Sequence, residues 1–196
     1  MGAFLGILVV AIIVALILHS MKAKKVKGSH ETALAQIPDF KPAVHLGNSS
    51  DTPGIALDPQ SERFAILHPN GELKLFKFSQ LVAVDVEKNG VSLQKTNRGS
   101  QVMGAAVGAI LLGPVGLLLG GLTGSKRNVE KVRRLSIKIF TDDLISPVTE
   151  IIFFNSPSGS DPNGFLVRTA AQLLDEWHGR FLTIIQRANP GQNQNN

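Results

Sequence analysis

The chain contains no cysteine and no tyrosine, and it has a single tryptophan among its 196 residues. Without cysteine, a disulfide framework and a thiolate nucleophile are both excluded. The absence of tyrosine and the single tryptophan argue against a nucleic-acid partner, although the formal net charge is +5. The excess of positive charge therefore points to a different anionic partner.

Residue patterns that mark metal sites are also missing. No two histidines have the spacing of an HxxxH or HExxH ligand pair. Each histidine is therefore expected in a linker, in a turn or on a solvated surface rather than in a site. The five residues are His19, His30, His45, His68 and His178.

The sequence likewise offers no catalytic group. Asp142 and Asp143 are adjacent, and neighbours on a strand point to opposite faces, so a turn is predicted there. The glycine-rich segment lacks the Gly-Lys-Ser/Thr ending of a P-loop, and Ser156–Ser160 is predicted as a loop without a nucleophile elbow. We therefore predict a protein that is not an enzyme and that needs no cofactor or metal.

Two long uncharged apolar runs dominate what the chain does contain. They are Gly2–Leu18 and Gly104–Leu122. Each is close to the ~20 residues that a helix needs to cross a bilayer about 30 Å thick. Contact with a membrane is therefore the first question that this sequence raises.

Residues 1–21 are predicted to form an uncleaved transmembrane anchor. The run is apolar on every helical face. A secretory signal is the alternative, but the run has no charged segment before it and no small-x-small cleavage site after it. Lysines follow the run, which predicts an N-terminus outside the cell and a cytoplasmic remainder. These lysines are Lys22, Lys24, Lys25 and Lys27.

The remaining chain is predicted to form one β-rich domain at residues 54–188. Residues 22–53 are predicted as a basic flank and linker, and residues 189–196 as a disordered tail. About seven short alternating runs, separated by turns such as Asn89-Gly90, predict strands. A long amphipathic pattern then predicts a closing helix with Asp161 as its N-cap. Its core-facing residues are predicted as Leu166, Ala170, Leu173, Leu174, Trp177, Phe181, Ile184, Ile185 and Ala188.

Several antiparallel strands closed by one C-terminal amphipathic helix resemble the pleckstrin-homology-like (PH-like) barrel. The segment Phe76–Val86, with its aromatics, polar turn and apolar strand, is similar to a unit of small bacterial members of this superfold. The resemblance implies an α+β fold, with a barrel of about seven strands and a C-terminal helix. It also implies a module that binds lipid, peptide or protein. An unrelated α+β sandwich is the alternative, and fold-level likeness alone does not choose the ligand.

Residues 99–125 are predicted to form a helical hairpin inserted between two strands. Glycines at four-residue spacing place small side chains on one helical face, where two helices pack closely in a membrane. Gly113-Pro114 between the two ladders is expected to separate two helices. The pattern resembles the glycine-zipper segments of bacterial envelope proteins. The ladder residues are Gly104, Gly108, Gly116, Gly120 and Gly124.

Each arm of this hairpin would be roughly 15–18 Å long, which is too short to span a bilayer. Both flanks are basic, so both are expected on the same side of the membrane. We therefore predict a hairpin that dips into one leaflet or associates with copies of itself. Packing of a soluble hairpin on the barrel is the alternative.

The basic residues beside the apolar runs are the predicted contacts for anionic lipid. The sequence thus predicts a bacterial, single-pass, membrane-anchored binding or scaffold module at the cytoplasmic face of the inner membrane. Lipid, other membrane proteins or a second copy are its predicted partners. An exported envelope protein and a scaffold subunit of a larger membrane complex are the alternatives. The predicted lipid contacts are Lys22, Lys24, Lys25, Lys27, Lys126, Arg127, Lys131, Arg133 and Arg134.

Overall fold

The computed structural model describes residues 32–47, 49, 52–98 and 130–188. These residues form a mixed α+β structure with eight strands and one long C-terminal helix. The chain divides into two compact units, Met1–Leu75 and Phe76–Asn196. The predicted anchor, insert and tail lie outside the described residues. Within the described part, no helix is both long and apolar enough to cross a membrane.

The first sheet has its strands in chain order, and it lies in the first unit apart from the last two residues of β4. Strand β2 is buried along its whole length, and it pairs antiparallel with both β1 and β3. The turn after β3 is closed by the backbone N–H of Gly71, which donates to the carbonyl of His68 at 3.0 Å. The strands are β1 (Val44–Leu46), β2 (Gly54–Asp58), β3 (Arg63–Leu67) and β4 (Leu73–Lys77).

The segment before β2, which was predicted as a linker, belongs in its described part to this first unit. Residues 32–35 form a helical turn, and residues 44–46 form β1. Leu34 and Phe40 are buried against Ala56 and Ala65, the small residues that face each other on β2 and β3. Prolines and polar residues dominate this segment, which is typical of a linker. Its two buried residues, Leu34 and Phe40, are isolated in the sequence and form no pattern that predicts their packing.

The tight connection from β2 to β3 depends on the buried carboxylate of Asp58. Its Oδ2 accepts hydrogen bonds from the backbone N–H of Lys41 at 2.8 Å and the hydroxyl of Ser61 at 2.7 Å. Its Oδ1 accepts from the backbone N–H of Gln60 at 3.0 Å. Burial acts to raise the pKa of Asp58, but these hydrogen bonds outweigh it and hold the pKa below its ordinary value.

The second unit contains an antiparallel sheet with the strand order β6-β5-β7-β8. A short 3-10 turn, Phe78–Gln80, leads into β5. The last strand is longer than predicted and includes Ser156–Ser160, where a loop was expected. Pro157 is tolerated there because β8 is an edge strand. The strands are β5 (Leu81–Lys88), β6 (Val91–Asn97), β7 (Val132–Thr141) and β8 (Val148–Ser160).

Helix α1 (Phe165–Arg187) packs against β5, β7 and β8 of this sheet. Its buried face is shifted by one residue from the predicted face in the first turns. Leu166 is 70% exposed and Leu173 is 37% exposed, whereas Val167 and Ala171 are buried. The apolar run Phe165-Leu166-Val167 covers more than one face, so periodicity could not fix the phase there. The buried residues are Val167, Ala171, Leu174, Trp177, His178, Phe181, Leu182, Ile184 and Ile185.

The helix also begins later than predicted. Its N-cap is Gly164, and no side chain caps it. The carboxylate of Asp161 instead accepts a hydrogen bond from the backbone N–H of Asn163 at 2.8 Å, which stabilises the turn before the helix.

The strand order places the two flanks of residues 99–129 at opposite ends of the second sheet. Strands β6 and β7 lie on either side of β5 and are both antiparallel to it. Beside the start of β5, the backbone N–H of Arg98 donates to the carbonyl of Val82; beyond its end, that of Asn89 donates to the carbonyl of Arg134. Seven residues of strand separate Val82 from Asn89, or about 23 Å. Arg98 and Glu130, the described residues on either side of this segment, therefore lie at opposite ends of β5.

Candidate functional site

Three of the predicted lipid contacts lie among the described residues: Lys131, Arg133 and Arg134, all at the start of β7. The other candidates lie outside the described residues and stay predictions. They are Lys22, Lys24, Lys25, Lys27, Lys126 and Arg127, together with the zipper glycines Gly104, Gly108, Gly116, Gly120 and Gly124.

The side chain of Asn89 fixes the backbone from which these cations project. Asn89 (φ 54°) and Gly90 (φ 81°) form the hairpin turn between β5 and β6. The Oδ1 of Asn89 accepts hydrogen bonds from the backbone N–H groups of Arg133 at 2.7 Å and Arg134 at 3.1 Å. Its Nδ2 donates to the carbonyl of Lys131 at 3.0 Å and to the carboxylate of Glu130 at 3.0 Å. One amide thus ties the hairpin to the point where the chain returns to the sheet.

Lys131 and Arg133 are both exposed, and their stems lie over a glycine of β8. A Cβ atom at Gly159 would lie 2.8 Å from the Cβ of Lys131 and 3.5 Å from the Cγ of Arg133. Gly159 also has a φ of 75°, which glycine adopts without strain. No salt bridge or side-chain hydrogen bond joins Lys131 or Arg133 to another described residue.

Carboxylates near these two cations are already engaged. Glu130 forms a salt bridge to Lys88 at 3.2 Å and accepts the hydrogen bond from Asn89. The Asn89 hydrogen bond, then Lys88, lowers the pKa of Glu130 below its ordinary value. Glu130 is therefore ionised at neutral pH, and its charge is directed mainly to Lys88.

Arg134 differs from its two neighbours because it is paired. Its guanidinium donates to the carboxylate of Glu150 at 2.7 Å, on the outer face of the sheet. On the same face, Lys138 contacts Glu87 at 2.6 Å, and that hydrogen bond raises the pKa of Lys138. The predicted role of Arg134 as a lipid contact therefore requires it to exchange Glu150 for a headgroup.

The outer face as a whole compensates its own charge. Its central row crosses all four strands in register, and the sign of the charge alternates from strand to strand. Cross-strand pairs of opposite charge stabilise a sheet, and they leave no net charge to attract an anion. The row consists of Lys95, Asp85, Lys138 and Glu150.

Large apolar side chains are exposed at both ends of the second sheet. We call the end with Asn89, the start of β7 and the end of β8 the Asn89 end. Ser160 of β8 pairs there with Val132, and the helix starts five residues later with Phe165 (80% exposed) and Leu166 (70% exposed).

The opposite end, with the loop between β7 and β8, is called the Asp142 end. The carboxylate of Asp142 accepts a hydrogen bond from Gln80 at 3.0 Å. That of Asp143 accepts from the backbone N–H of Ile145 at 2.8 Å, which confirms the predicted turn. This turn leaves Leu144 98% exposed and Ile145 90% exposed.

His178 is buried, although a solvated position was predicted for it. It is 3% exposed on the inner face of α1, and its Nε2 has no hydrogen-bond partner within the described part of the chain. Burial lowers its pKa to about 4, so the ring is neutral at pH 7. The same shift in helix phase that exposes Leu166 buries this ring. No cluster of three or more acidic or histidine residues that could hold a metal occurs in residues 32–47, 49, 52–98 and 130–188.

Residues 44–155 match the protein family described as "Glycine zipper containing PH domain". The match extends from β1 into β8 and includes the predicted zipper segment. It confirms the prediction of a PH-like domain that carries a glycine zipper.

Two curated relatives are similar to part of the chain. One is an immunity protein of Bacillus phage SPbeta, 26% identical over 119 residues that cover 57% of this chain and 57% of that protein. The other is the SPbeta prophage-derived uncharacterized membrane protein YomJ of Bacillus subtilis (strain 168), 26% identical over 119 residues, or 57% of this chain and 51% of that protein. The chain spans about half the length of these relatives. No solved structure matches it significantly.

Replacing Asn89 with alanine is expected to loosen the start of β7. The change removes four side-chain hydrogen bonds and places alanine at a positive φ, so the free energy of unfolding should fall by about 2–4 kcal/mol. Amide hydrogen exchange at residues 130–134 should accelerate. Asn89→Gly also removes the four side-chain hydrogen bonds, but glycine adopts the positive φ without strain. This variant therefore measures the effect of the hydrogen bonds alone. Wild-type exchange in the glycine variant would show that the amide does not hold the strand.

The buried ring of His178 should make stability depend on pH. Its pKa is 6.5 when unfolded and about 4 when folded. The unfolded chain therefore binds more protons between these values, and the free energy of unfolding should fall as pH drops through this window. The neutral ring of His178 makes its full contribution to stability above pH 6.5. Below this pH, the free energy of unfolding falls by at most roughly 3 kcal/mol.

Denaturant unfolding at several pH values measures this effect. His178→Leu should remove that part of the pH dependence, whereas His45→Ala, at the exposed position of β1, should retain it. Equal pH slopes for His178→Leu and the native chain would contradict the assignment.

Proposed function

This chain belongs to the family of glycine-zipper-containing PH domains, and from that premise we propose that it is a membrane-associated, non-enzymatic binding module. Its second unit meets anionic lipid headgroups with Lys131 and Arg133. The family and the relative named as a membrane protein support the membrane-associated part of this proposal. The lipid contact is argued from the site itself.

The observation that carries the proposal is that Lys131 and Arg133 are exposed and have no salt-bridge partner among the described residues. Both project from a strand whose backbone is fixed by Asn89, and neither is bound to a described carboxylate. A Lys or Arg near an anionic membrane surface contributes about 1 kcal/mol to binding. Neither residue has a salt-bridge partner of its own among the described residues, in contrast to Arg134 with Glu150; Glu130 acts on Arg133 only at longer range, since its ion pair is with Lys88.

Sequence features outside the described residues complete the proposed arrangement. Residues 1–21 would anchor the chain as one transmembrane helix, with the domain on the cytoplasmic side. The zipper segment would supply a second membrane contact or an interface with another copy. Its C-terminal flank, Lys126-Arg127, stands only a few residues before Lys131 in the sequence, so all these cations would reach one membrane surface.

Transfer of excitation energy from Trp177, the single tryptophan, to dansyl-labelled lipid tests the headgroup contact in the full chain. Proteoliposomes of phosphatidylcholine are compared with an equimolar mixture of phosphatidylcholine and phosphatidylglycerol. Transfer should be higher in the anionic vesicles and should fall with added salt. Lys131→Gln with Arg133→Gln should weaken the docked state by roughly 2 kcal/mol, or about thirtyfold.

The matched control removes the same charge elsewhere. Lys95→Gln with Arg187→Gln changes a residue of the compensated outer face and the last residue of α1. Arg187 is about 33 Å along the helix from Phe165. The control should keep the difference between the two vesicle types. Equal losses in both double variants, or no difference between the vesicles, would overturn the proposal.

An immunity function is the second candidate, favoured by the similarity to the immunity protein of Bacillus phage SPbeta. It is compatible with a membrane-associated module. Bacillus cells that express the full chain should then resist infection by SPbeta, which a plaque assay measures. A plating efficiency equal to that of cells carrying Lys131→Gln with Arg133→Gln, and of cells without the protein, would rule this candidate out.

A further inference from the structure

We propose that Phe165 and Leu166 enter the interfacial layer of an anionic bilayer, so that the Asn89 end is the membrane-facing end of the second unit. This inference rests on the proposed function and deepens it. It names an apolar contact and fixes which end of the sheet meets the lipid. We call Phe165 and Leu166 the apolar patch.

The apolar patch is more exposed than the packing of α1 requires. Phe165 is 80% exposed and Leu166 is 70% exposed, while Val167 in the same turn is 2% exposed and contributes to the core. The helix therefore has two large apolar side chains beyond the one that its packing uses in this turn. An aromatic and an aliphatic residue in this position suit the boundary between headgroups and acyl chains.

The strand pairing places the apolar patch and the free cations at the same end of the sheet. Val132, which lies between Lys131 and Arg133, pairs with Ser160 at the end of β8. Only the turn at residues 161–164 separates Ser160 from the apolar patch. Such a surface can contact the anionic headgroups with its positive charge and the upper acyl chains with its apolar side chains.

The charge balance of this end also favours anionic lipid. Lys131, Arg133 and Arg168 are exposed cations there. Glu130 is paired with Lys88, and the single negative charge of Asp161 is outnumbered by these three cations. An additional exposed apolar residue, Val91 at 66% exposure, lies beside the Asn89-Gly90 turn at this end.

The Asp142 end provides the competing apolar surface. Leu144 and Ile145 are more exposed than the apolar patch, but Asp142 and Asp143 flank them directly in the chain. Lys77 and Arg98 also lie at this end and offset these two carboxylates, so it offers no excess of positive charge to an anionic surface. Charge therefore decides between two ends that apolar exposure alone would leave undecided, and it selects the Asn89 end.

The absence of cysteine makes the test direct, because one introduced cysteine is the only labelling site. Full-length variants Phe165→Cys, Leu166→Cys, Leu144→Cys and Ile145→Cys are labelled with an environment-sensitive nitrobenzoxadiazole fluorophore. Each is reconstituted into vesicles of phosphatidylcholine alone or an equimolar mixture with phosphatidylglycerol. Quenching by spin-labelled lipid reports insertion, and quenching by aqueous iodide reports exposure to water.

In the anionic vesicles, labels at 165 and 166 should be quenched by lipid and protected from iodide, and those at 144 and 145 should show the reverse. Unlabelled Phe165→Ser with Leu166→Ser should weaken docking, measured by energy transfer from Trp177, by about tenfold per side chain. Leu144→Ser with Ile145→Ser, the matched control, should leave docking unchanged.

Iodide-accessible labels at 165 and 166 in a chain that still docks through Lys131 and Arg133 would overturn the apolar contact and leave the proposed function standing. Lipid quenching at 144 and 145 instead would overturn the orientation. Loss of any difference in energy transfer between the anionic and neutral vesicles would overturn both proposals. Circular dichroism of each variant confirms that it is folded.

Discussion

The side-chain amide of Asn89 is the contact on which the arrangement of the candidate surface depends. The connection between β6 and β7 returns to the sheet on the far side of β5, so adjacent hairpins alone do not fix the start of β7. Asn89 supplies that restraint, since it bonds to the backbone at Lys131, Arg133 and Arg134. The backbone from which Lys131 and Arg133 project thereby has a defined position.

Charge is distributed over the second unit in two ways. On the outer face, cations and carboxylates alternate across the four strands, which stabilises the sheet. At the Asn89 end, Lys131 and Arg133 have no such partner among the described residues, and exposed apolar side chains accompany them. Since the central row of the outer face is paired and the Asn89 end leaves Lys131 and Arg133 without a salt-bridge partner among the described residues, net charge alone is a poor guide to where this protein meets an anion.

The sequence predicted the class of fold, seven of the eight strands and the closing helix, because turn signals such as Asn89-Gly90 and alternation in β7 are local. It missed β1 and the docking of Phe40, because these depend on contacts with β2 and β3 that are distant in sequence. The predicted buried face of the helix is wrong at Phe165–Val167, because all three residues are apolar and periodicity cannot tell which one faces the core. The same error in helix phase placed His178 on the solvated face. Whether a cation is paired, as with Arg134 and Glu150, is set by strand register, which composition does not reveal.

The separation of the two flanks at Arg98 and Glu130 has a mechanical consequence. Tension in the connecting segment would pull β6 and β7 from opposite ends of the strand between them. The hydrogen bonds between β5 and β6 and between β5 and β7 would then be loaded together, in shear. If both ends of the segment lay at the same end of the sheet, the same force would break these hydrogen bonds one after another. The guanidinium of Arg98, which donates to the carbonyl of Phe78 at 3.0 Å, and the amide of Asn89 lie where that load enters the sheet.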